Sequence, residues 1–357
     1  MRAVILAAGQ GTRLRPVTLT MPKPLVPVAN KPLIMYSIDV LKTAGLTEIA
    51  IVVNDMDSPI VTQLGNGAAL GVQLDYVVQQ QQLGLAHAIS LCKPFVGEKP
   101  FCVFLGDNIF QDKMTPLLTG FEASDAEATI ALVPVPDPQR FGVAVVKDGK
   151  IEQLIEKPNP APSNLAISGV YLFRPSIWEA IANIKPSKRN ELEITDAMQW
   201  LVTNGHNVQP YVLNGWWIDA GKPDSIMQAN QFVMGDMPYT PPLTDGNVII
   251  GKSDVSHRVE VGEGSQIIDS VVRGPVIIGN NVTIRNSFIG PYTAIGDNVT
   301  IEYSEIDASI VMKNCTVRNI QGRIDSSLLA DNSQLTAATH VPASHRFILA
   351  ENSFVQL

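Results

Sequence analysis

The sequence has few cysteines, and they are widely spaced. Cys92, Cys102 and Cys315 are the three cysteines among 357 residues, and no Cys-x-x-Cys motif occurs. This spacing argues against a zinc site and against a disulfide framework. We expect all three side chains to be buried as apolar residues.

Positive charge is also scarce. Lysine and arginine number 26 against 34 acidic residues, which gives a formal net charge of -8 at pH 7. A general surface for nucleic acid or anionic membranes is therefore not expected. Any anion site must be a local basic cluster, and Arg13, Arg15, Lys23 and Lys31 form one.

Long hydrophobic runs are missing as well. No apolar run approaches the length of a membrane span. Six apolar residues between Arg2 and Gly9 are too few for the hydrophobic region of a signal peptide. We expect a cytoplasmic protein that binds neither a membrane nor nucleic acid.

The first 34 residues, by contrast, contain a segment suited to binding phosphate. The apolar run from Ala3 to Ala8 predicts a buried parallel strand, and it leads into Gly9 and Gly11. The backbone amides of these glycines can approach phosphate oxygens that a Cβ would keep away. Arg13 then offers a planar fork of donors, and Lys23 is a point charge held between two prolines.

Two better-known phosphate loops fit this segment poorly. Leu14 stands where a dinucleotide-binding fingerprint has its third glycine. No Gly-Lys-Ser/Thr closes the loop as it would in a P-loop.

From residue 1 to about 235 the sequence predicts alternating strands and helices, the pattern of a mostly parallel sheet covered on both faces. A helix is predicted from Pro32 to Gly45, and strands over Glu48 to Val53 and Phe101 to Leu105. Ligands bind outside the carboxyl ends of strands in such sheets. The segment from Gly9 to Arg13 is therefore predicted to face Asp107.

A different periodicity follows residue 246. Three steps of five or six residues make a 17-residue unit, and the same unit spaces Gly262, Gly279 and Gly296 as well as one set of serines. Repeats of this kind are typical of a parallel β-helix, in which the periodic aliphatic residues stack in a central column. These aliphatic residues lie at positions 261, 267, 272, 278, 284, 289, 295, 301, 306, 311 and 317.

The predicted organisation is therefore a catalytic domain over 1–236, a proline-rich linker over 237–246 and a β-helix over 247–335. Residues 336–357, including Ala337 to His340, are expected to cap the open end of the coils.

The opening segment resembles the signature Gly-x-Gly-Thr-Arg-Leu-x-Pro, followed by Lys-Pro-Leu-x-Pro-Val, of the sugar-1-phosphate nucleotidyltransferases. Later segments are most similar to the long form of the glucose-1-phosphate thymidylyltransferases. In that form a Rossmann-like α/β catalytic domain is followed by a left-handed β-helix.

This resemblance implies Mg²⁺-dependent transfer of a nucleotidyl group from dTTP to glucose 1-phosphate, giving dTDP-glucose and pyrophosphate. The obstacle to this reaction is charge, so catalysis should consist mainly of positioning and neutralisation. A direct in-line attack needs no covalent nucleophile, and no Ser-His or Cys-His motif offers one. The implied catalytic residues are Arg13, Lys23, Asp107 and Asp219, and the two aspartates are the implied Mg²⁺ ligands.

The resemblance also assigns two groups of binding residues. A glutamine amide carries a donor and an acceptor, which suits the imide edge of thymine or uracil. Glu156 is expected to accept hydrogen bonds from the sugar, while Lys157 and Arg189 hold its phosphate. The implied nucleotide-binding residues are Leu6, Ala8, Gly9, Gly11, Thr12, Arg13, Gln79, Gly84 and Asp107, and the sugar-phosphate residues are Gly142, Glu156, Lys157, Gly169, Tyr171, Arg189 and Trp217.

The sequence departs from the family pattern in three places. Ala220 follows the second aspartate where threonine is usual. The run Gln79 to Gln82 replaces a loop that contains proline, which leaves open which glutamine reads the base. Asn190 replaces a glycine, which leaves open the loop conformation and the exposure of Arg189.

Alternatives to this reading also remain. A uracil site differs from a thymine site by one methyl group, so a UTP-using or dual-specificity enzyme is one of them. Another is a bifunctional enzyme with acyltransferase activity in the β-helix, although Val259 to Leu335 contain no histidine to act as a base. A third is a relative that binds sugar nucleotides without turnover. The flat coils favour a homo-oligomer, a trimer or a multiple of one.

Overall fold

The structure is a computed structural model that describes residues 1–244, 246, 248–337 and 352–355. The chain divides into two compact units. The first comprises Met1–Gln10, Pro22–Leu25 and Leu33–Asp219, and the second comprises Gly11–Met21, Val26–Pro32 and Ala220–Leu357. The division of the sequence near residues 236–247 stays a prediction.

Strands and helices alternate along the first part of the chain. The strands are β1 (Arg2–Leu6), β2 (Pro27–Val28), β3 (Lys31–Pro32), β4 (Glu48–Val53), β5 (Gln73–Val78), β6 (Phe101–Leu105), β7 (Asn108–Phe110), β8 (Ala128–Pro134), β9 (Gly142–Lys147), β10 (Lys150–Glu156), β11 (Leu165–Phe173), β12 (Val208–Val212) and β13 (Trp217–Asp219). The helices are α1 (Leu33–Thr43), α2 (Pro59–Leu64), α3 (Leu85–Leu91), α4 (Lys93–Val96), α5 (Thr115–Ala123), α6 (Ser176–Asn183), α7 (Ile194–Thr203) and α8 (Pro223–Gly235).

The first unit is built on a nine-stranded sheet, which confirms the predicted Rossmann-like α/β fold. The main path of the sheet is β10-β9-β11-β6-β1-β4-β5, with β8 pairing β11 and β12 pairing β8. Strand β1 is parallel to β4 and β6, and β4 is parallel to β5. The sheet is mixed, because β11 runs antiparallel to β6, β8 and β9. The parallel half contains the predicted strands, and β1 within it leads towards Gly9.

The core of this unit is built from the apolar residues of its strands and helices. Ala3 to Leu6 are buried, and Phe101 and Phe173 are fully buried, with Phe101 stacked on Trp178. Helix α1 begins at Leu33, one residue later than predicted, because Pro32 instead pairs with Pro27 in the β2–β3 hairpin.

The cysteines are buried free thiols, as predicted. Burial raises the pKa of Cys92 to about 12. Among the helices in the described part of the chain, none combines the length and the hydropathy needed to span a bilayer.

The second unit contains the predicted β-helix. Its strands are β14 (Leu243–Thr244), β15 (Ile249–Ile250), β16 (Asp254–Val255), β17 (Val259–Val261), β18 (Gln266–Ile268), β19 (Val271–Val272), β20 (Val276–Ile278), β21 (Thr283–Arg285), β22 (Phe288–Ile289), β23 (Thr293–Ile295), β24 (Thr300–Glu302), β25 (Glu305–Asp307), β26 (Ile310–Val311), β27 (Thr316–Arg318), β28 (Arg323–Asp325), β29 (Leu328–Leu329) and β30 (Gln334–Thr336). They form three parallel sheets of six, six and five strands, in which every third strand is a neighbour.

The predicted aliphatic column forms the core of these coils. Each of the positions predicted from the spacing is exposed by 2% or less. Ile284 pairs with Ile267 on one side and with Ile301 on the other. The next coil is one residue shorter, because Ile301 pairs with Val317.

Serine and glycine keep the 17-residue period for separate reasons. The Ser287 N–H donates to Ser270 Oγ at 3.1 Å, and the Ser304 N–H donates to Ser287 Oγ at 3.3 Å. A Cβ on Gly279 would lie 2.8 Å from the backbone carbon of Gly296, so only glycine fits this close stacking. Most of the segment predicted as a cap, residues 338–351, 356 and 357, lies outside the described residues, and the cap stays a prediction.

Removing a side chain from the aliphatic column should destabilise the coils. Ile284→Ala is expected to cost about 2 to 5 kcal/mol, because fully buried isoleucine leaves a cavity. Arg285→Ala, an exposed neighbour in the same strand, should change stability by less than about 0.5 kcal/mol. Urea unfolding of the full chain measures both variants. Equal effects would contradict the assignment of Ile284 to the core.

Candidate active site

Two aspartates come together through the pairing of two short strands. Gly106 and Asp107 follow β6 directly, at the carboxyl edge of the sheet. A Cβ on Gly106 would lie 3.0 Å from Ile5 Cγ2 and 3.1 Å from the Leu6 carbonyl oxygen, so glycine allows this close approach to β1. Strand β7 then pairs antiparallel with β13, which places Asp219 opposite Asn108.

Lys23 lies between these two carboxylates. Its ammonium group donates a hydrogen bond to Asp107 Oδ2 and lies 3.7 Å from Asp219 Oδ1. The Lys23 side chain is only 8% exposed, whereas those of Asp107 and Asp219 are 28% and 21% exposed. A charge this buried requires paired counter-charges. The three predicted catalytic groups of the first unit therefore form one cluster.

Asn108 also belongs to this cluster, although it is not among the site residues predicted from the sequence. Its Nδ2 donates to Asp107 Oδ1 at 2.9 Å, and its Oδ1 accepts from Trp217 Nε1 at 2.8 Å. Asn108 is buried, so these bonds fix the rotamer of the neighbouring carboxylate. Its position directly after Asp107, at the start of an otherwise apolar strand, is the signal that could have identified it.

A cleft of about 230 Å³ opens beside Lys23 and Asp107. It contains six of the residues predicted to bind nucleotide, together with Lys23. Glu191 also lines it and was not among the predicted site residues. The lining residues are Leu6, Ala7, Ala8, Gly9, Lys23, Pro24, Val52, Gln79, Gln82, Gly84, Leu85, Ala88, Leu105, Asp107 and Glu191.

Gly11, Thr12 and Arg13 belong to the second compact unit. Gly11 has φ 60°, and Thr18 Oγ1 donates to its carbonyl oxygen at 2.7 Å. The approach of Arg13 to the carboxylates, and of the Gly9 to Arg13 segment to Asp107, stays a prediction.

Two glutamines of the run from Gln79 to Gln82 line the cleft in different ways. Gln79 is 5% exposed, and its Nε2 donates to the Gly84 carbonyl oxygen at 3.2 Å. Gln82 is exposed, and its Nε2 donates to the Ala8 carbonyl oxygen at 2.8 Å. Gly84 has φ 102°, and a Cβ there would lie 2.5 Å from the Leu192 carbonyl oxygen. Gln82 Nε2 also donates to Asn54 Oδ1 at 2.6 Å, so both amides are held, Gln79 in a buried position and Gln82 in an exposed one.

Among the predicted sugar-phosphate residues, Gly142, Lys157 and Arg189 lie next to Glu156, at the end of β10. Glu156 Oε1 accepts from Arg189 NH2 at 3.0 Å and lies 3.6 Å from Lys157 Nζ. Its Oε2 accepts from Thr195 Oγ1 at 2.7 Å. A Cβ on Gly142 would lie 3.1 Å from that oxygen, which explains the glycine in the paired strand.

Asn190 adopts the backbone conformation for which glycine is the usual choice. Its φ is 63°, in the left-handed region that asparagine tolerates better than most residues. The side chain of the preceding Arg189 is 40% exposed and is held by Glu193 Oε1, which accepts from Arg189 NH2 at 2.8 Å. Asparagine therefore tolerates the backbone conformation of the loop from which Arg189 contacts Glu156.

Burial and nearby carboxylates raise the pKa of two neighbouring residues, Asp196 and Tyr171. Burial raises the pKa of Asp196, and Glu193 and Glu156 raise it further, while Arg189 lowers it. Burial, with a contribution from Glu156 and Asp107, raises the pKa of Tyr171. Tyr171 is only 3% exposed, so the structure places it in the core beneath the two carboxylates.

Trp217 connects the two sets of residues. Its ring packs edge to face on Phe141 at 5.2 Å between centroids, and the Phe141 carbonyl oxygen accepts from the Lys157 N–H. Trp217 is also two residues from Asp219, in the same strand. Gly169 has φ 84°, and a Cβ there would lie 2.7 Å from Leu105 Cδ1, so glycine suits this position beside Leu105.

The donor set fits a divalent metal that retains other ligands. Within the described ranges, no group of three or more histidine, cysteine, aspartate or glutamate side chains is placed to hold an ion. Asp107 and Asp219, which both lie within 4 Å of Lys23, offer two carboxylates. This number suits Mg²⁺, which usually binds one or two protein carboxylates together with water and substrate phosphates.

Comparison with known proteins places the chain among enzymes. The family model described as "Nucleotidyl transferase" matches residues 2–235. The chain is 40% identical to a glucose-1-phosphate thymidylyltransferase from Streptomyces griseus, and the match covers the whole of this chain and 99% of that protein. It is 42% identical over its full length to the whole of the low-salt glycan biosynthesis nucleotidyltransferase Agl11 from Haloferax volcanii.

A solved structure agrees with these relatives. A Bacillus anthracis protein assigned as a glucose-1-phosphate thymidylyltransferase, in complex with a sucrose, matches with a TM-score of 0.62 and 38% identity. The match covers 67% of this chain and 97% of that protein. From the matched catalytic segment and the full-length relatives, the chain belongs to the nucleotidyl transferase family.

Proposed function

We propose that the protein is a glucose-1-phosphate thymidylyltransferase, which uses dTTP and glucose 1-phosphate to form dTDP-glucose and pyrophosphate. The observation that carries this proposal is the position of Lys23, between Asp107 and Asp219 and at the edge of a cleft that Gly9 and Gln79 line. The full-length relatives with this activity support the same substrates.

In the proposed reaction an oxygen of the sugar phosphate attacks the α-phosphorus of dTTP, and pyrophosphate leaves on the opposite side. Lys23 lowers the repulsion between the two anions, because its charge lies at the meeting point of the cluster. Asp107 and Asp219 would hold Mg²⁺, which supplies positive charge against the phosphate oxygens when bound. Arg13 is proposed to stabilise the transferring phosphate.

The sugar phosphate is proposed to bind at the Glu156 group. Glu156 accepts hydrogen bonds from sugar hydroxyls, and Lys157 and Arg189 neutralise the phosphate. These two cations already contact Glu156, so a bound sugar phosphate would compete for donors that are in place before it arrives.

The β-helix is proposed to support assembly of several chains. Acyl transfer in the β-helix would need a base such as histidine, and the sequence from Val259 to Leu335 contains no histidine. Assembly through the coils and a cytoplasmic location remain predictions.

Removing the charge of Lys23 should reduce turnover strongly. Lys23→Met is expected to lower kcat by about 100-fold or more, because one preorganised charge is lost from the reacting centre. Lys93→Met, which removes a surface lysine paired with Glu98, should leave kcat unchanged. Pyrophosphate release from dTTP and glucose 1-phosphate measures both. Wild-type turnover by a folded Lys23→Met enzyme would remove the proposed role.

Removing one carboxylate should weaken the use of metal. Asp219→Asn is expected to raise the Mg²⁺ concentration for half-maximal rate by about tenfold or more. Asp148→Asn, in an exposed turn, is the matched control. Rates across a magnesium titration, started from EDTA-treated protein, give the comparison. An unshifted titration for Asp219→Asn would contradict its assignment as a ligand.

Discrimination between dTTP and UTP should be limited. One methyl group in an apolar pocket is worth about 1 to 3 kcal/mol, so the ratio of kcat/KM should lie within about 10- to 200-fold. Parallel assays with dTTP, UTP, dCTP, ATP and GTP test this expectation. Preference for a purine nucleotide would contradict the assignment of the base site.

A further inference from the structure

The Gln79 amide is the buried polar group on the nucleotide side of the cleft, and it makes two contacts through one atom. Its Nε2 lies 3.2 Å from the Gly84 carbonyl oxygen and 3.0 Å from His87 Nδ1. Gln79 lines the cleft, whereas His87, in α3, is not among the residues that line it.

The Gly84 contact determines which way the amide faces. A backbone carbonyl oxygen can only accept, so the amide atom next to it must be the nitrogen. Rotating the amide by 180° would place its oxygen against the Gly84 oxygen and lose the hydrogen bond. The first N–H of Gln79 is therefore committed to Gly84.

The second N–H of the same nitrogen determines the state of His87. Because Gln79 Nε2 is a donor, His87 Nδ1 must accept. This hydrogen bond selects the tautomer that carries its proton on Nε2. With both N–H groups engaged inside the protein, the carbonyl oxygen Oε1 is the hydrogen-bonding atom that the Gln79 amide retains.

We propose that His87 is a positioning residue for base selection, which holds the Gln79 amide so that Oε1 is the atom offered to the nucleobase. This inference rests on the proposed function. An acceptor at this position can bind the imide N–H of thymine or uracil. Cytosine has an unprotonated ring nitrogen there, so acceptor would face acceptor.

The inference changes the expected use of Gln79. An amide was expected to supply a donor and an acceptor to the base, but here both hydrogens of the donor are already used. A side chain without an acceptor at position 87 leaves the Gly84 hydrogen bond in place but frees the second N–H of Gln79, which can then be offered to the unprotonated ring nitrogen of cytosine.

The test measures binding of dTTP and dCTP to the full-length protein by titration calorimetry. His87→Leu and His87→Phe remove the acceptor, and His87→Gln supplies one through its own amide oxygen. The ratio of dTTP to dCTP affinity should fall about three- to tenfold in the first two variants, the effect of one neutral hydrogen bond. It should remain near the wild-type value in His87→Gln.

His206→Leu is the matched control, since it removes a histidine that stacks on Trp200 and does not line the cleft. Its affinity ratio should equal that of the wild type. Thermal unfolding of each variant identifies any that fail to fold, and the phenylalanine variant replaces the leucine variant in that case.

Two results would overturn the inference. One is an unchanged affinity ratio in a folded variant without an acceptor. The other is an equal loss in His87→Gln, which would assign the effect to packing. Pyrophosphate release by the wild type is measured in parallel: a protein that selects dTTP by binding but releases no pyrophosphate contradicts the proposed function and leaves the role of His87 standing.

Discussion

The site depends on one ammonium group held between two carboxylates. Lys23 is nearly buried, and a buried charge is tolerated only when it is paired. The pairing in turn depends on strands β7 and β13, three residues each, which bring Asp219 beside Asn108. A slip of one residue between these strands would turn Asp219 to the opposite face. Local strand register therefore controls the electrostatics of the proposed reaction centre.

The sequence predicts the elements whose pattern is strong and local. Strands β4 and β6 are found over the predicted residues, because continuous apolar runs next to turns define buried strands. The β-helix is predicted from the repeated spacing of aliphatic residues, because each coil buries its aliphatic residues at equivalent positions. Pairing between β7 and β13 could not be predicted, since residues 109 positions apart in sequence carry no shared pattern and the strands are too short to show a period.

The binding residues show where a motif predicts position without predicting orientation. Asn190 stands where the family pattern has glycine, and its positive φ is a backbone conformation for which glycine is the usual residue. Gln79 was selected by its motif, but the direction of its amide depends on Gly84 and on the tautomer of His87. Such hydrogen-bond orientation becomes visible only when the acceptors around a side chain are known. The same argument applies to Asn108, whose two bonds link Asp107 to Trp217.

In the proposed reaction, charged side chains position and neutralise the two substrates, and the sugar phosphate attacks the α-phosphorus of dTTP directly. The most direct test is the stereochemical course with dTTP made chiral by sulfur at that phosphorus. A single in-line displacement predicts inversion of configuration in the dTDP-glucose product. Retention would indicate two displacements through a nucleotidylated side chain, and it would contradict the account.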